Sequence, residues 1–258
     1  MIKHSEGLSP WLLIKIIIKV FFPWVENIIA NSSEWSFWYA RDILEAPFPL
    51  GEKSIATNAI LSFKYAEDIL KAPFLKGEAA IGTDEQLSYK YAKHILKAPF
   101  LKGEAASAEC SYRFAKDVLE APFPLGEATI ATNAKWSYNY AQYILYKPFP
   151  LGEAAIATDA QYSYHYAKDV LKKSFPLGEA AIATDAQYSY HYAKDVLKKS
   201  FPLGEAAIAT DAIYSSWYAQ YVLRKPFSEG EDAIATSDVK EEYRKVFPFR
   251  LRPAFFKY

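Results

Sequence analysis

GEAAIATDAQYSYHYAKDVLKKSFPL, Gly152–Leu177, is followed at once by an identical copy, Gly178–Leu203. Two perfect neighbours define a tandem array, in which no single unit can bury its own apolar face and each must be read as part of a stack. The glutamate after the opening glycine extends the register in both directions: Glu26, Glu52, Glu78, Glu104, Glu127, Glu153, Glu179, Glu205 and Glu231. These lie 26 residues apart throughout, except for the 23-residue step from Glu104 to Glu127.

The longer segment of each unit reads as a helix. Numbered from a recurring serine (Ser36, Ser62, Ser88, Ser111, Ser137, Ser163, Ser189, Ser215), position +3 is always Phe or Tyr, +4 always Ala, +7 Ile or Val and +8 Leu. At about 100° per residue these fall on one arc, with the polar positions +2, +5 and +9 opposite. The small pair at 0 and +4 is expected where a neighbouring helix approaches closely. A Thr-Asp or Thr-Asn step, such as Thr158-Asp159, supplies N-cap chemistry, and Thr158 with Gln161 or Thr184 with Gln187 fits a capping box. The helix is expected to stop before Pro47, Pro73, Pro99, Pro122, Pro148 and Pro226. Glu-Ala-Ala-Ile-Ala is long enough for one further short helix, and the glycine before it is expected to provide a positive-φ turn.

The expected fold is therefore all-α: a right-handed α-solenoid of helix-loop-helix repeats, one long and one short helix per 26-residue unit, forming a single domain over residues 1–258. Residues 1–25 read as an N-terminal capping helix, 26–230 as eight repeats with 104–126 shortened, and 231–258 as a C-terminal cap and tail. The shortened unit reads as a tolerated deletion, with a reduced small helix and a local change of path.

Composition narrows function. Thirty basic and thirty acidic residues balance to zero, which argues against a coat of positive charge for nucleic acid. The single cysteine, Cys110, leaves no disulfide framework and suits a reducing cytoplasm. The apolar stretch Pro10–Val25 is interrupted by Lys15 and Lys19 and is too short to span a bilayer, so neither a membrane nor a secretory role is expected. Its greasy face could instead support self-association.

No Walker loop, Gly-x-Ser-x-Gly or His-Glu-x-x-His occurs, and the carboxylates follow the repeat rather than converge, so neither enzyme activity nor a cofactor is expected. His165 and His191 occupy the same position of adjacent units, about 8–10 Å apart between helix axes, which is awkward for one zinc ion. The glutamate column reads as architectural, favoured by the short-helix dipole or by a bond to a neighbouring unit. Asp at +6 (Asp42, Asp68, Asp117, Asp169, Asp195) opposes the helix dipole and calls for a specific partner such as a tyrosine hydroxyl or a loop amide. Where +6 becomes Tyr143 or Tyr221, the residue before it becomes Gln142 or Gln220, as though one contact between units had two forms.

The candidate partner-binding surface is the exposed arc: Trp38, Arg41, Lys64, Lys90, Lys93, Arg113, Lys116, His165, Lys168, His191, Lys194 and Trp217. A protein partner is the first expectation. The alternative is a nucleic-acid-binding solenoid whose basic ridge follows phosphates while its aromatics stack bases.

The run Gly152–Leu171 resembles the short tandem helical repeats of proteins from large DNA bacteriophages and some bacteria, over about residues 20–246. Those repeats often carry proline after the Gly-Glu pair and after the helix cap, where Ala154 and Ala160 stand here. The resemblance implies a phage or mobile-element origin and a host-cell cytoplasmic location. It carries over no activity and no functional residue.

Overall fold

The first of the two identical repeats shows how the local sequence folds. Glu153–Ile156 forms a single short helical turn, and Thr158 Oγ1 donates to the Ala155 carbonyl at 2.8 Å, closing it. Asp159 then turns extended (φ −126°, ψ 126°), and its side chain accepts from the Tyr162 amide at 3.0 Å. The aspartate is therefore the N-cap, and the capping box expected of Thr158 and Gln161, or of Thr184 and Gln187, is replaced by this pair of bonds. Ser32 and Ser107 take the cap role where the Thr-Asp step is missing.

The long helix changes register midway. Ala160–His165 is α-helical and Tyr166–Leu171 is π-helical, after which Lys172 sits in the left-handed region (φ 53°, ψ 31°). The carbonyl of Ala167 accepts from both the Lys172 and Lys173 amides, so one oxygen satisfies two groups that the helix end would otherwise leave open. The same α-to-π switch recurs in the other long helices, each ending on a non-glycine left-handed residue: Glu45, Lys71, Lys97, Glu120, Tyr146, Lys198 and Arg224. Extended π-helix is rare and is usually a local functional bulge. Here its recurrence makes it part of the repeat. Proline is not the terminator, because the helices ending at Leu171 and Leu197 stop at the same point with Ser174 and Ser200 in the proline position.

The computed structural model describes residues 24–98, 100, 103 and 107–248. Among these residues the chain is all-α, without a strand, and its repeats stack as helix-loop-helix layers in the manner of an α-solenoid. The layers group into two compact units divided between Phe123 and Pro124. The expected N-terminal capping helix lies outside the described residues for all but Trp24 and Val25, as do Glu104–Ala106 of the shortened repeat and the tail from residue 249. At the C-terminal cap, a short helix Glu231–Ala235 is followed by the charged helix Lys240–Val246.

Three joints hold successive layers together within each unit. The +3 tyrosine is fully or almost fully buried, and its hydroxyl lies between two groups. Tyr192 Oη accepts from the Phe175 amide of the preceding loop at 2.8 Å and donates to Glu179 Oε1 of its own short helix at 2.8 Å. Tyr65, Tyr91 and Tyr166 repeat both bonds. The recurring glutamate is thus an acceptor for a buried phenol. The tyrosine ring also meets the next phenylalanine edge-on, as Tyr192 meets Phe201 at 5.2 Å, a geometry that contributes about 0.5–1.5 kcal/mol beyond the area it buries.

The second joint is the buried serine, whose hydroxyl donates to the isoleucine carbonyl seven residues earlier, as Ser163 does to Ile156 at 2.8 Å. The third is the glycine, and here the structure corrects the expected positive-φ turn. No described glycine has a positive φ, and Gly178 lies at φ −93°, ψ −7°. A Cβ on Gly178 would sit 2.5 Å from Ser163 Oγ and 2.6 Å from the Phe175 ring. Gly51, Gly77, Gly152 and Gly204 meet the serine of the preceding repeat in the same way. Glycine is present because the layers approach too closely for any side chain.

Candidate interaction surface

With +3, +4 and the serine committed to the interior, the neighbouring positions of the long helix form an outer face. In the second unit, position +1 packs on −1 and +2 of the next repeat. Tyr138 lies 6.0 Å from Tyr162 and 5.9 Å from His165 between ring centroids, and Tyr164 lies 5.9 Å from both Tyr188 and His191. Tyr190 continues the ladder to Tyr214 at 5.9 Å and Trp217 at 5.8 Å. His165, His191 and Trp217 are therefore part of the seam between repeats as well as of its outer edge.

The recurring +6 aspartate answers the same ladder. Tyr164 Oη donates to Asp195 Oδ2 at 2.7 Å, and Lys168 Nζ reaches both Tyr164 Oη at 2.8 Å and Asp195 Oδ2 at 3.2 Å. In the first unit Tyr89, Lys93 and Asp117 form the corresponding triad, with Lys93 3.6 Å from Asp117. The tyrosine-hydroxyl partner expected for the aspartate is present at Asp117, Asp169 and Asp195, whereas Asp42 pairs with Arg41. Burial alone would push the Asp195 carboxyl up, but the bonds from Tyr164 and Lys168, with the charges of Lys168 and His191, outweigh it and hold the group below the usual carboxylate range. Burial pushes the Tyr164 phenol up to about 12, with Lys168 acting against it and Asp195 reinforcing it. His191, 3.8 Å from Asp195, is lowered by burial despite that carboxylate.

Four of the ridge's eight lysines and arginines are paired with carboxylates. Arg41 forms a paired fork with Asp42 at 2.7 and 2.9 Å while lying 4.0 Å over the Trp38 ring. Arg113 pairs with Glu109 at 2.6 Å, His165 with Asp169 at 3.3 Å, and Lys93 and Lys168 with Asp117 and Asp195. Lys116 lies 6.0 Å from the Tyr112 ring, and Lys64 and Lys90 stand exposed. Trp38 and Trp217 keep 41% and 40% of their surface in solvent, enough for each to reach a partner.

Two features escaped the sequence reading. A leucine of the inter-helix loop is more than half exposed in repeat after repeat: Leu50 and Leu75 in the first unit, and Leu125, Leu151, Leu177 and Leu203 in the second. It lies one or two residues after the buried loop phenylalanine. The other is Lys194, which meets a tyrosine in the next repeat where Lys168 meets an aspartate. Its Nζ lies 5.4 Å from the Tyr190 ring and 5.5 Å from the Tyr221 ring. The Asp-to-Tyr change at +6 was the visible signal; its consequence for a lysine 27 residues away was not.

Among the described residues, no group of three or more His, Cys, Asp or Glu side chains converges as a metal site, and no helix is long and apolar enough to cross a membrane. Cys110 is buried, with Sγ 3.7 Å from the Glu85 carbonyl. Comparison with protein-family models, curated proteins and solved structures finds no match to this chain.

Proposed function

We propose that this chain is a non-enzymatic repeat scaffold whose long-helix face binds a protein partner, and that it is encoded by a phage or mobile element and acts in the cytoplasm of a host cell. The observation that carries the partner class is the partial internal neutralisation of the ridge, in which four of its eight lysines and arginines are paired with carboxylates. Lys93, Lys168, Arg41 and Arg113 each have a carboxylate within 4 Å. A track for polyanions requires cations free to release counterions along its length. Beside these pairs, the outward surface bears Trp38, Trp217, Tyr143 and Tyr221, the residue types that dominate binding energy at protein interfaces. The origin and location rest on the resemblance of Gly152–Leu171 to phage repeats.

The test is affinity capture from nuclease-treated host lysate with the native chain and with Trp38→Ala and Trp217→Ala. A stoichiometric protein retained by the native chain and lost with the tryptophan variants is expected. Polynucleotide binding that weakens steeply with salt and disappears in Lys168→Glu and Arg113→Glu would replace this reading with the nucleic-acid alternative.

A further inference from the structure

The +6 exchange at Tyr221 leaves open a site that Asp195 closes one layer earlier. Between the two preceding layers, Lys168 is held by Asp195 at 3.2 Å. One layer further on, the lysine is Lys194 and the aspartate is replaced by Tyr221, which offers Lys194 only the face of its ring at 5.5 Å. An open cavity of about 450 Å³ lies there, lined by Ala193, Lys194, Lys198, Tyr221, Val222 and Arg224. Three of the six lining residues are cations, and none is a carboxylate.

The nearest acid in sequence, Asp195, does not compensate them. Its carboxylate accepts from Tyr164 and Lys168 of the preceding repeat and lies 3.8 Å from His191, on the other side of its own helix layer. Lys198 and Arg224 occupy the left-handed positions that end successive long helices, with φ 56° and 52°. The backbone therefore fixes the roots of both side chains at the cavity rim. Asp195 is engaged by Lys168 one layer earlier, so it does not offset the three cations gathered at this junction.

We propose that this cavity is a binding site for a small anion carrying two or more phosphoryl groups. Lys194 and Lys198 act as point charges on the phosphates, and the Arg224 guanidinium supplies the planar fork that matches a phosphate's paired oxygens. The Tyr221 ring forms an apolar wall on which a planar group of the ligand can lie. The volume falls within the range of small-molecule sites, about 300–1,000 Å³. The site rests on this one junction and stands independently of the protein-partner reading.

The experiment is isothermal titration of the full chain at low ionic strength with pyrophosphate, with a nucleoside triphosphate and with a single-stranded oligonucleotide lacking terminal phosphates. Saturable 1:1 binding of pyrophosphate is expected, and tighter binding of the triphosphate would place its ring on Tyr221. Tyr221→Asp restores the acid found at this position in other repeats and is expected to weaken binding at least about tenfold, the equivalent of one lost charge-assisted hydrogen bond. Arg224→Asn, which keeps a residue tolerant of positive φ, is expected to do the same. Lys53→Glu, exposed on a short helix of the first unit, is expected to leave affinity unchanged. Three results would overturn the assignment: no binding of either phosphate ligand at millimolar concentration, undiminished affinity in folded Tyr221→Asp and Arg224→Asn, or tighter binding of the oligonucleotide than of pyrophosphate.

Discussion

Replacing Tyr192 by phenylalanine removes one oxygen atom from the joint between two layers and should destabilise the chain by several times the effect of an average surface change. The hydroxyl accepts from the Phe175 amide and donates to Glu179 Oε1, each at 2.8 Å, and Tyr192 has no solvent exposure. Loss of a bond to a charged group removes about 1.5–3 kcal/mol, and a buried amide left without an acceptor costs about 1–3 kcal/mol. Glu179 is only half-buried and can recover water, so the expected sum is about 2–4 kcal/mol, against a total stability of about 5–15 kcal/mol for a typical domain. The ring contact with Phe201 is retained, which separates the hydroxyl from the packing. The shortened repeat already carries Phe114 here, so a benzyl group fits the site. Urea unfolding gives the stability change, and hydrogen exchange at the Phe175 amide gives its location. Tyr146→Phe, at a position 82% exposed, is the control and should change stability by no more than about 0.5 kcal/mol. A loss below about 0.5 kcal/mol in Tyr192→Phe, with the Phe175 amide as protected as before, would refute the role given to the tyrosine column.

Glycine substitutions should show opposite signs at two positions in one repeat. Gly178→Ala forces a Cβ to 2.5 Å from Ser163 Oγ and should lose about 1–3 kcal/mol by overpacking, whereas Lys172→Gly relieves a left-handed lysine and should gain about 0.5–1 kcal/mol after the greater entropy of the unfolded chain is deducted; thermal melts of the two variants check the order. Alkaline pH should unfold the stack, because burial raises Tyr65 and Tyr91 to about 12, reinforced by Glu52 and Glu78 and opposed by the Phe48 and Phe74 amides. A folded-state value above that of the unfolded chain, about 10, means that this stabilisation is complete below pH ~10 and is lost as pH rises toward ~12. Phenolate absorbance should therefore develop together with loss of helical circular dichroism, and complete phenol ionisation near pH 10 with the helices intact would contradict it.

The leucine row shows where pattern reading fails. Leu177 follows Phe175-Pro176 in an apolar run, and the repeat period does not say which of Phe175 and Leu177 faces inward. Phe175 is 3% exposed and Leu177 58%, because the intervening turn of 3-10 helix points them in different directions. The π-helical half of the long helix escaped for a related reason. Apolar spacing at about 100° per residue describes Ala160–His165 well, but a residue pattern does not report which amide bonds which carbonyl.

The amino-acid sequence by itself determined the repeat length, the all-α class, the division of each repeat into a long and a short helix, and the burial of the +3 and +4 columns. These follow from local periodicity and from the copying of one unit, and every copy states them again. Only the tertiary structure decided what the conserved-looking polar residues do. The glycine answers to a serine 15 residues away, the glutamate to a tyrosine 13 residues away, and Lys168 to an aspartate 27 residues away. The glutamate and tyrosine meet within one repeat, but the glycine–serine and lysine–aspartate pairings depend on how one layer sits against the next, which no residue within a single repeat encodes. For the same reason Lys168 and Lys194, identical in their own repeats, end in different electrostatic surroundings: one faces Asp195 and the other Tyr221.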